Sequence, residues 1–198
     1  GGNNNTLVGD LAGTAITTAS NNTAVGYLAA KALTTANSNT AVGYNSLGAD
    51  TLGDRAVAIG LNALASQNFT TTTDNYNIGI GYNAGAGITT GTFNTLIGGN
   101  AGDALADADF NVALGYNALS TDTLGSKSVA IGLSALAAQN FTSATNVFNV
   151  AVGFQAGFAV TTGIQNTLIG GLAGDSNTTA SNNTAVGYNA LSGNQTGA

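Results

Sequence analysis

Glutamate, histidine, proline, cysteine, methionine and tryptophan are all missing from this chain, and lysine and arginine together occur three times. Without His, Cys or Glu, the usual nucleophilic triads, zinc sites and Glu-based acid pairs are excluded. Only Asp is left for acid–base work, so the chain reads as a non-enzyme with no catalytic residue, no metal and no cofactor. Three cations against a net charge of −6 cannot neutralise a run of phosphates, which excludes nucleic acid as a partner. No apolar run approaches the length of a membrane span and no signal peptide is visible, so no membrane insertion is expected. The lack of Cys leaves the redox compartment open, while the joint loss of Cys and Met suits an oxidising exterior. Charged residues make up 6 % of the chain, against about 25 % in an average domain. A hydrophobic fraction of 43 % is nonetheless too high for a disordered chain. A surface this poor in charge is poorly soluble when bare, and burying one face against sister chains is the simplest remedy. The expected partner is therefore a further copy of this chain.

What is present is a repeat. The phrase Asn-Thr-Ala-Val-Gly-Tyr-x-Ala-Leu, or a close variant, surrounds Gly9, Gly26, Gly43, Gly60, Gly81, Gly98, Gly115, Gly132, Gly153, Gly170 and Gly187. Successive glycines are 17 residues apart except after Gly60 and Gly132, where the step is 21, so a larger unit of 72 residues also repeats. Leu52–Thr70 (LGDRAVAIGLNALASQNFT) returns as Leu124–Thr142 (LGSKSVAIGLSALAAQNFT). A short fixed period means stacked coils, and insertions at one phase of every fourth coil mean wider coils there. These fall at 65–76 and 137–148, each carrying Asn-Phe-Thr and ending on an aromatic, Tyr76 or Phe148. The single repeat domain runs over 1–198; it shows no polar capping repeat and reads as a segment of a longer fibre.

Within one coil, the residue before the glycine is always Val, Ile or Leu, and two residues earlier stands Thr, Val or Ile. Period-two alternation of β-branched residues predicts a strand, and these two rows are expected to form the core. The small residue between them, usually Ala (Ala24, Ala41, Ala58), is expected to point outward and to make the subunit contact. Asn occupies the position four before the glycine in nine coils of eleven, a structural ladder of stacked amides. Patterns such as Ile16–Ala19 and Ile88–Gly91 predict a second, more exposed strand. The fold class is all-β, a parallel β-solenoid of about eleven coils, about 50 Å long at about 4.8 Å per coil.

Two rows invite a functional reading. Six coils place an aromatic after the glycine (Tyr27, Tyr44, Tyr82, Tyr116, Phe154, Tyr188), which suits either packing or a strip for sugar rings. Asp103, Asp107 and Asp109 are the densest acidic group, read as a solvated turn or a weak Ca²⁺ site. Asp50 and Asp122, like Asp103 and Asp175, are one 72-residue unit apart and read as scaffold positions.

Asn183–Leu191 (NTAVGYNAL) and the Thr-Thr-Gly and Thr-Thr-Ala spacers resemble the repeats of phage tail-fibre proteins and of long bacterial fibres ending in a self-cleaving chaperone domain. Ser128–Gly132 (SVAIG) and Ala56–Gly60 (AVAIG) resemble the YadA-like heads of trimeric autotransporter adhesins. The resemblance covers essentially the whole chain. It implies a left-handed β-roll assembled as a trimer, in an extracellular virion appendage or cell-surface fibre. The expected function is the structural shaft of that fibre, holding a host- or surface-binding tip, with end-to-end neighbours a further possibility. The alternatives are an adhesive solenoid that binds cell-surface glycans through the Tyr strip or the Asn-Phe-Thr loops, and an ice-binding solenoid. Ice binding ranks low here because the Thr row is broken and is expected to face the core. A polysaccharide depolymerase is the enzymatic outsider.

Overall fold

Thr6–Val8 pairs in parallel with Thr23–Val25, and the same pairing passes from coil to coil until Thr167–Ile169 meets Thr184–Val186. The computed structural model describes residues 2–193. Its main sheet has 11 parallel strands in sequence order, and no helix occurs among the described residues. The chain is a parallel β-solenoid, as the 17-residue period predicts. Register follows the repeat: Thr23 lies beside Thr40, Ala24 beside Ala41, Val25 beside Val42.

The faces of that sheet are inverted relative to the expectation. The small central residue of each strand points inward, with Ala24, Ala41, Ala58, Ala113, Ala130 and Ala151 all 0 % exposed. The β-branched rows on either side point out: Val57 and Val112 are half-buried, Ile59 and Leu114 exposed. The Ala row is therefore core and not a subunit contact. The cause is the width of the coil. A turn closed in so few residues, with left-handed backbone at three phases (Asn45, Leu47 and Ser38 are examples), brings its opposite walls too close for a Val or Ile row. A left-handed φ costs an L-residue about 1–2 kcal/mol, which the Asn residues at the first of these phases reduce.

Inside, bulk is shared between two positions six residues apart. Where the strand centre is Ala41, Ala58, Ala113 or Ala130, the corner residue is the buried leucine Leu47, Leu64, Leu119 or Leu136. Where the strand centre is Leu7, Leu96 or Leu168, the corner residue is Gly13, Gly102 or Gly174. A methyl group at Gly102 would lie 2.7 Å from the Leu96 side chain, and one at Gly174 equally close to that of Leu168. In these seven coils one large side chain fills the space, from either position; where both positions are small (Ala24/Ala30, Gly79/Gly85, Ala151/Gly157), a buried Leu33, Ile88 or Val160 stands three residues after the corner.

The second strand does not form in regular coils. Ile16, Leu33, Ile88 and Val160 turn inward, Ile16 only partly, and the Thr after each makes a single rung, as where Thr17 N–H donates to the Thr34 carbonyl at 2.9 Å. Two short side sheets appear only at the wide coils, pairing Gly53–Asp54 with Thr73–Asp74 and Gly125–Ser126 with Thr145–Asn146. Phe69 and Phe141, 5 % and 8 % exposed, tuck under these excursions. The Asn-Phe-Thr loops thus hide their aromatic ring.

The bulk-sharing rule predicts a rescue. Leu96→Ala should cost about 2–5 kcal/mol in chemical unfolding, the usual loss for a cavity of this kind. Gly102→Leu alone should destabilise by overpacking. The double variant, which recreates the Ala41/Leu47 coil, should recover most of the loss; additive losses would refute shared volume.

Candidate functional site

The buried polar groups serve the coils themselves. Asn22 Nδ2 donates to the Ala36 carbonyl at 2.9 Å, and Asn22 Oδ1 accepts the Asn39 N–H of the next coil at 2.9 Å. The same pair of bonds recurs at Asn39, Asn94, Asn111 and Asn166. Each amide satisfies a backbone acceptor and a backbone donor that the narrow core would otherwise strand, a penalty of about 1–3 kcal/mol apiece. The expected Asn ladder is present and structural. A second, shallower row stands two residues after the glycine, where Asn45, Asn62, Asn83, Asn100 and Asn117 adopt left-handed backbone and Asn45 Nδ2 donates to Asn62 Oδ1 at 3.2 Å.

The ladder lapses at Ala56 and Ser128, one 72-residue unit apart, and a buried network crosses each gap. Asp50 accepts the Gly53 N–H at 3.0 Å, the Phe69 N–H at 3.2 Å and Gln67 Nε2 at 2.6 Å. Gln67 Oε1 in turn accepts Asn77 Nδ2 at 2.9 Å. Asp122, Gln139 and Asn149 repeat the arrangement. Asp50 and Asp122 are scaffold residues that pin the wide coils. Desolvation holds the Asp50 carboxyl above its ordinary value of 3.8, outweighing the opposite pull of Gln67 and the Phe69 and Gly53 N–H groups.

The three candidate acidic ligands do not converge. Asp107 accepts from Thr90 Oγ1 at 2.8 Å, and Asp109 accepts the Thr92 N–H at 2.7 Å and Thr92 Oγ1 at 2.9 Å. Asp103 is half-buried, burial raises its pKa, and its Oδ1 has no hydrogen-bond partner. No group of three acidic, His or Cys side chains suited to a metal occurs among the described residues, and those residues enclose no pocket. Asn177, fully buried with neither side-chain polar atom bonded, stands where Leu33 and Leu105 stand in the earlier units.

The outward face is the remaining feature. It carries the two outward rows of the sheet, one all Val, Ile or Leu and one of Thr, Val and Ile, edged on one side by the aromatic row after the glycine. In that row only Tyr27 and Tyr44 touch, with centroids 5.6 Å apart and planes tilted by 36°; the row is interrupted by Leu61, Gly99, Leu133 and Gly171. A second aromatic row, five residues before the glycine, lies along the opposite edge. Tyr76 stacks on Phe93 (5.4 Å, 19°) and Phe93 on Phe110 (5.0 Å, 7°). The Arg55 guanidinium sits 5.6 Å from the Tyr76 ring centre and Lys127 Nζ 5.4 Å from that of Phe148; Arg55 also pairs with Asp74. Sequence reading missed this row, although its signal, an aromatic directly before the ladder Asn in Tyr76-Asn77, Phe93-Asn94, Phe110-Asn111 and Phe148-Asn149, was available.

No family model, curated protein or solved structure matches the chain.

The Asp50 carboxyl gives a pH signature. A raised native pKa means that the folded state binds the proton more tightly, so the contribution of Asp50 to stability is greatest below its ordinary 3.8 and is lost as pH rises through the native pKa. Unfolding free energies of wild type and Asp50→Asn, measured from pH 3.5 to 7, should diverge with this sign, wild type losing stability relative to the variant as pH rises. Parallel curves, or the opposite slope, would contradict the burial cost.

Proposed function

We propose that this chain is a structural rod that assembles laterally with copies of itself, the shaft of an extracellular virion or cell-surface fibre. The observation that carries the reading is the outward β-branched face, continuous over 11 strands and without a single charge in its two central rows. With its aromatic edges that face measures about 50 by 20 Å, on the order of 1,000 Å². A standard interface buries about 800 Å² per partner, which a face of this size can supply. A partner must match a relief repeating every coil, and a copy of the chain matches it by construction. Three copies around the rod axis is the arrangement that the tail-fibre and adhesin-head resemblance suggests. The subunit contact thereby moves from the Ala row to the Val and Ile rows.

The adhesive reading weakens on geometry. It loses the Asn-Phe-Thr loops, whose rings Phe69 and Phe141 are buried, while the Tyr strip stays exposed with only Tyr27 and Tyr44 in contact; sugars stack on ring faces, and that strip is broken by Leu61, Gly99, Leu133 and Gly171. Ice binding gains one point, because the Thr row faces outward and not into the core. It remains interrupted by Val57, Ile78, Val112, Val129 and Val150, and an assembly that buries the face removes it.

Light scattering of the native protein should return a multiple of the 19.2 kDa chain mass, three by this account, with thin rods in electron micrographs. Val112→Lys combined with Val129→Lys should leave the circular dichroism of the sheet intact and yield a monomer, since each lysine would be a charge buried at the contact. A monomeric wild type, or an oligomer indifferent to both lysines, would refute the proposal.

A further inference from the structure

Among the described residues, tyrosine meets tyrosine at one place. We infer that Tyr27 and Tyr44 form an oxidative cross-linking site, where a one-electron oxidant joins the two rings as dityrosine and ties neighbouring coils covalently. The pair lies within one chain, so the lateral assembly proposed above has no part in it.

Composition directs oxidation to the phenols. Cysteine, methionine, tryptophan and histidine, the side chains that ordinarily consume oxidants first, are all absent. Six tyrosines remain, and they are the most readily oxidised groups in the chain. No thiol, thioether or indole is present to return an electron to a tyrosyl radical, which therefore persists until it meets a second one.

Only one pair is placed to couple. Tyr27 and Tyr44 follow the central glycines of adjacent coils, with ring centroids 5.6 Å apart and planes tilted by 36°. They are 45 % and 50 % exposed. The backbone beneath them is fixed: Thr23–Val25 and Thr40–Val42 pair in register, and the Asn45 N–H donates to the Tyr27 carbonyl at 2.9 Å. The rings thus stay neighbours while their exposed edges are free to swing together. The other tyrosines have no such partner. In the same row Tyr82 stands between Leu61 and Gly99, Tyr116 between Gly99 and Leu133, and Tyr188 has Gly171 before it. Tyr76 stacks on Phe93, which has no hydroxyl, and carries the Arg55 guanidinium over its ring. A cation held against a ring opposes the loss of an electron from it.

In the coupling each phenol gives up one electron and its hydroxyl proton. The two phenoxyl radicals join through the ring carbons beside the oxygens, and the hydrogens displaced from those carbons restore both hydroxyls. The pair loses two hydrogen atoms in all. A peroxidase working with hydrogen peroxide takes them up, reducing one peroxide to two waters. The new carbon–carbon bond closes a loop of the chain as a disulfide would, in a protein with no cysteine to make one. In a solenoid each coil is held only by its neighbours, so the bond reinforces a junction on which the stack depends.

Lys31 lies between the two tyrosines and Arg55 is the next basic residue, so trypsin reads the link directly. The native protein, treated with a peroxidase and hydrogen peroxide and then denatured and digested, should yield peptides 1–31 and 32–55 joined, at their summed mass less two hydrogens and with dityrosine fluorescence. Tyr27→Phe and Tyr44→Phe should each abolish the joined product. Native protein prepared from mixed isotope-labelled and unlabelled chains should give joined peptides of uniform label. Absence of the joined product from the oxidised native protein would overturn the inference, as would its survival in either Phe variant. Joined peptides of mixed label would also overturn it, by placing the bond between chains.

Discussion

Each central glycine from Gly9 to Gly170 leaves no room for a side chain, because the next coil is already there. A methyl group at Gly26 would lie 2.6 Å from the Gly43 carbonyl oxygen, and one at Gly98 would lie 2.5 Å from that of Gly115. The backbone at these points has φ near +130°, open to glycine and strained for other residues. The coils therefore turn sharply at the end of every strand, and the turn sets how little the coil can enclose.

Much of the molecule follows from that narrowness. The interior takes mostly small residues at the strand centre, and no coil places a leucine at both the strand centre and the corner. Backbone groups that no sheet partner reaches are satisfied by the Asn ladder and, at the wide coils, by Asp50–Gln67–Asn77 and its counterpart. The β-branched residues that build the strands have nowhere to go but outward. A fold with a small core is thus left with a large uncharged, β-branched outer face, and lateral assembly is the response for which we argue.

The period, the strand positions and the register were legible because they depend only on spacing: residues 17 apart, or 21 at the wide coils, become neighbours. The Asn ladder was legible for the same reason. The face assignment was not, because alternation distinguishes two faces without saying which is inside. In an ordinary sheet the larger apolar residues fill the core, and that prior failed where the opposite wall stood too close. A better signal was present in the exchange of Leu and Gly between Leu96/Gly102 and Ala113/Leu119, which marks positions that fill one volume. The Asp50 network could be suspected from the 72-residue repeat, but its geometry depends on where the Phe69 excursion folds back. The aromatic wall was visible as single residues and became a surface only once the coils were stacked.

Adjacent glycines supply the most direct test of the constraint. Gly98 faces the next coil, whereas a methyl at Gly99 would meet only the Tyr116 ring, 3.2 Å away on the surface. Chemical unfolding of Gly98→Ala and Gly99→Ala should separate the two. Gly98→Ala should lose about 2 kcal/mol or more, from strained backbone and steric overlap together, and Gly99→Ala less than about 1 kcal/mol, as a surface change does. Equal, small losses at both positions would contradict the claim that stacking of the coils leaves no room for a side chain at the central glycine.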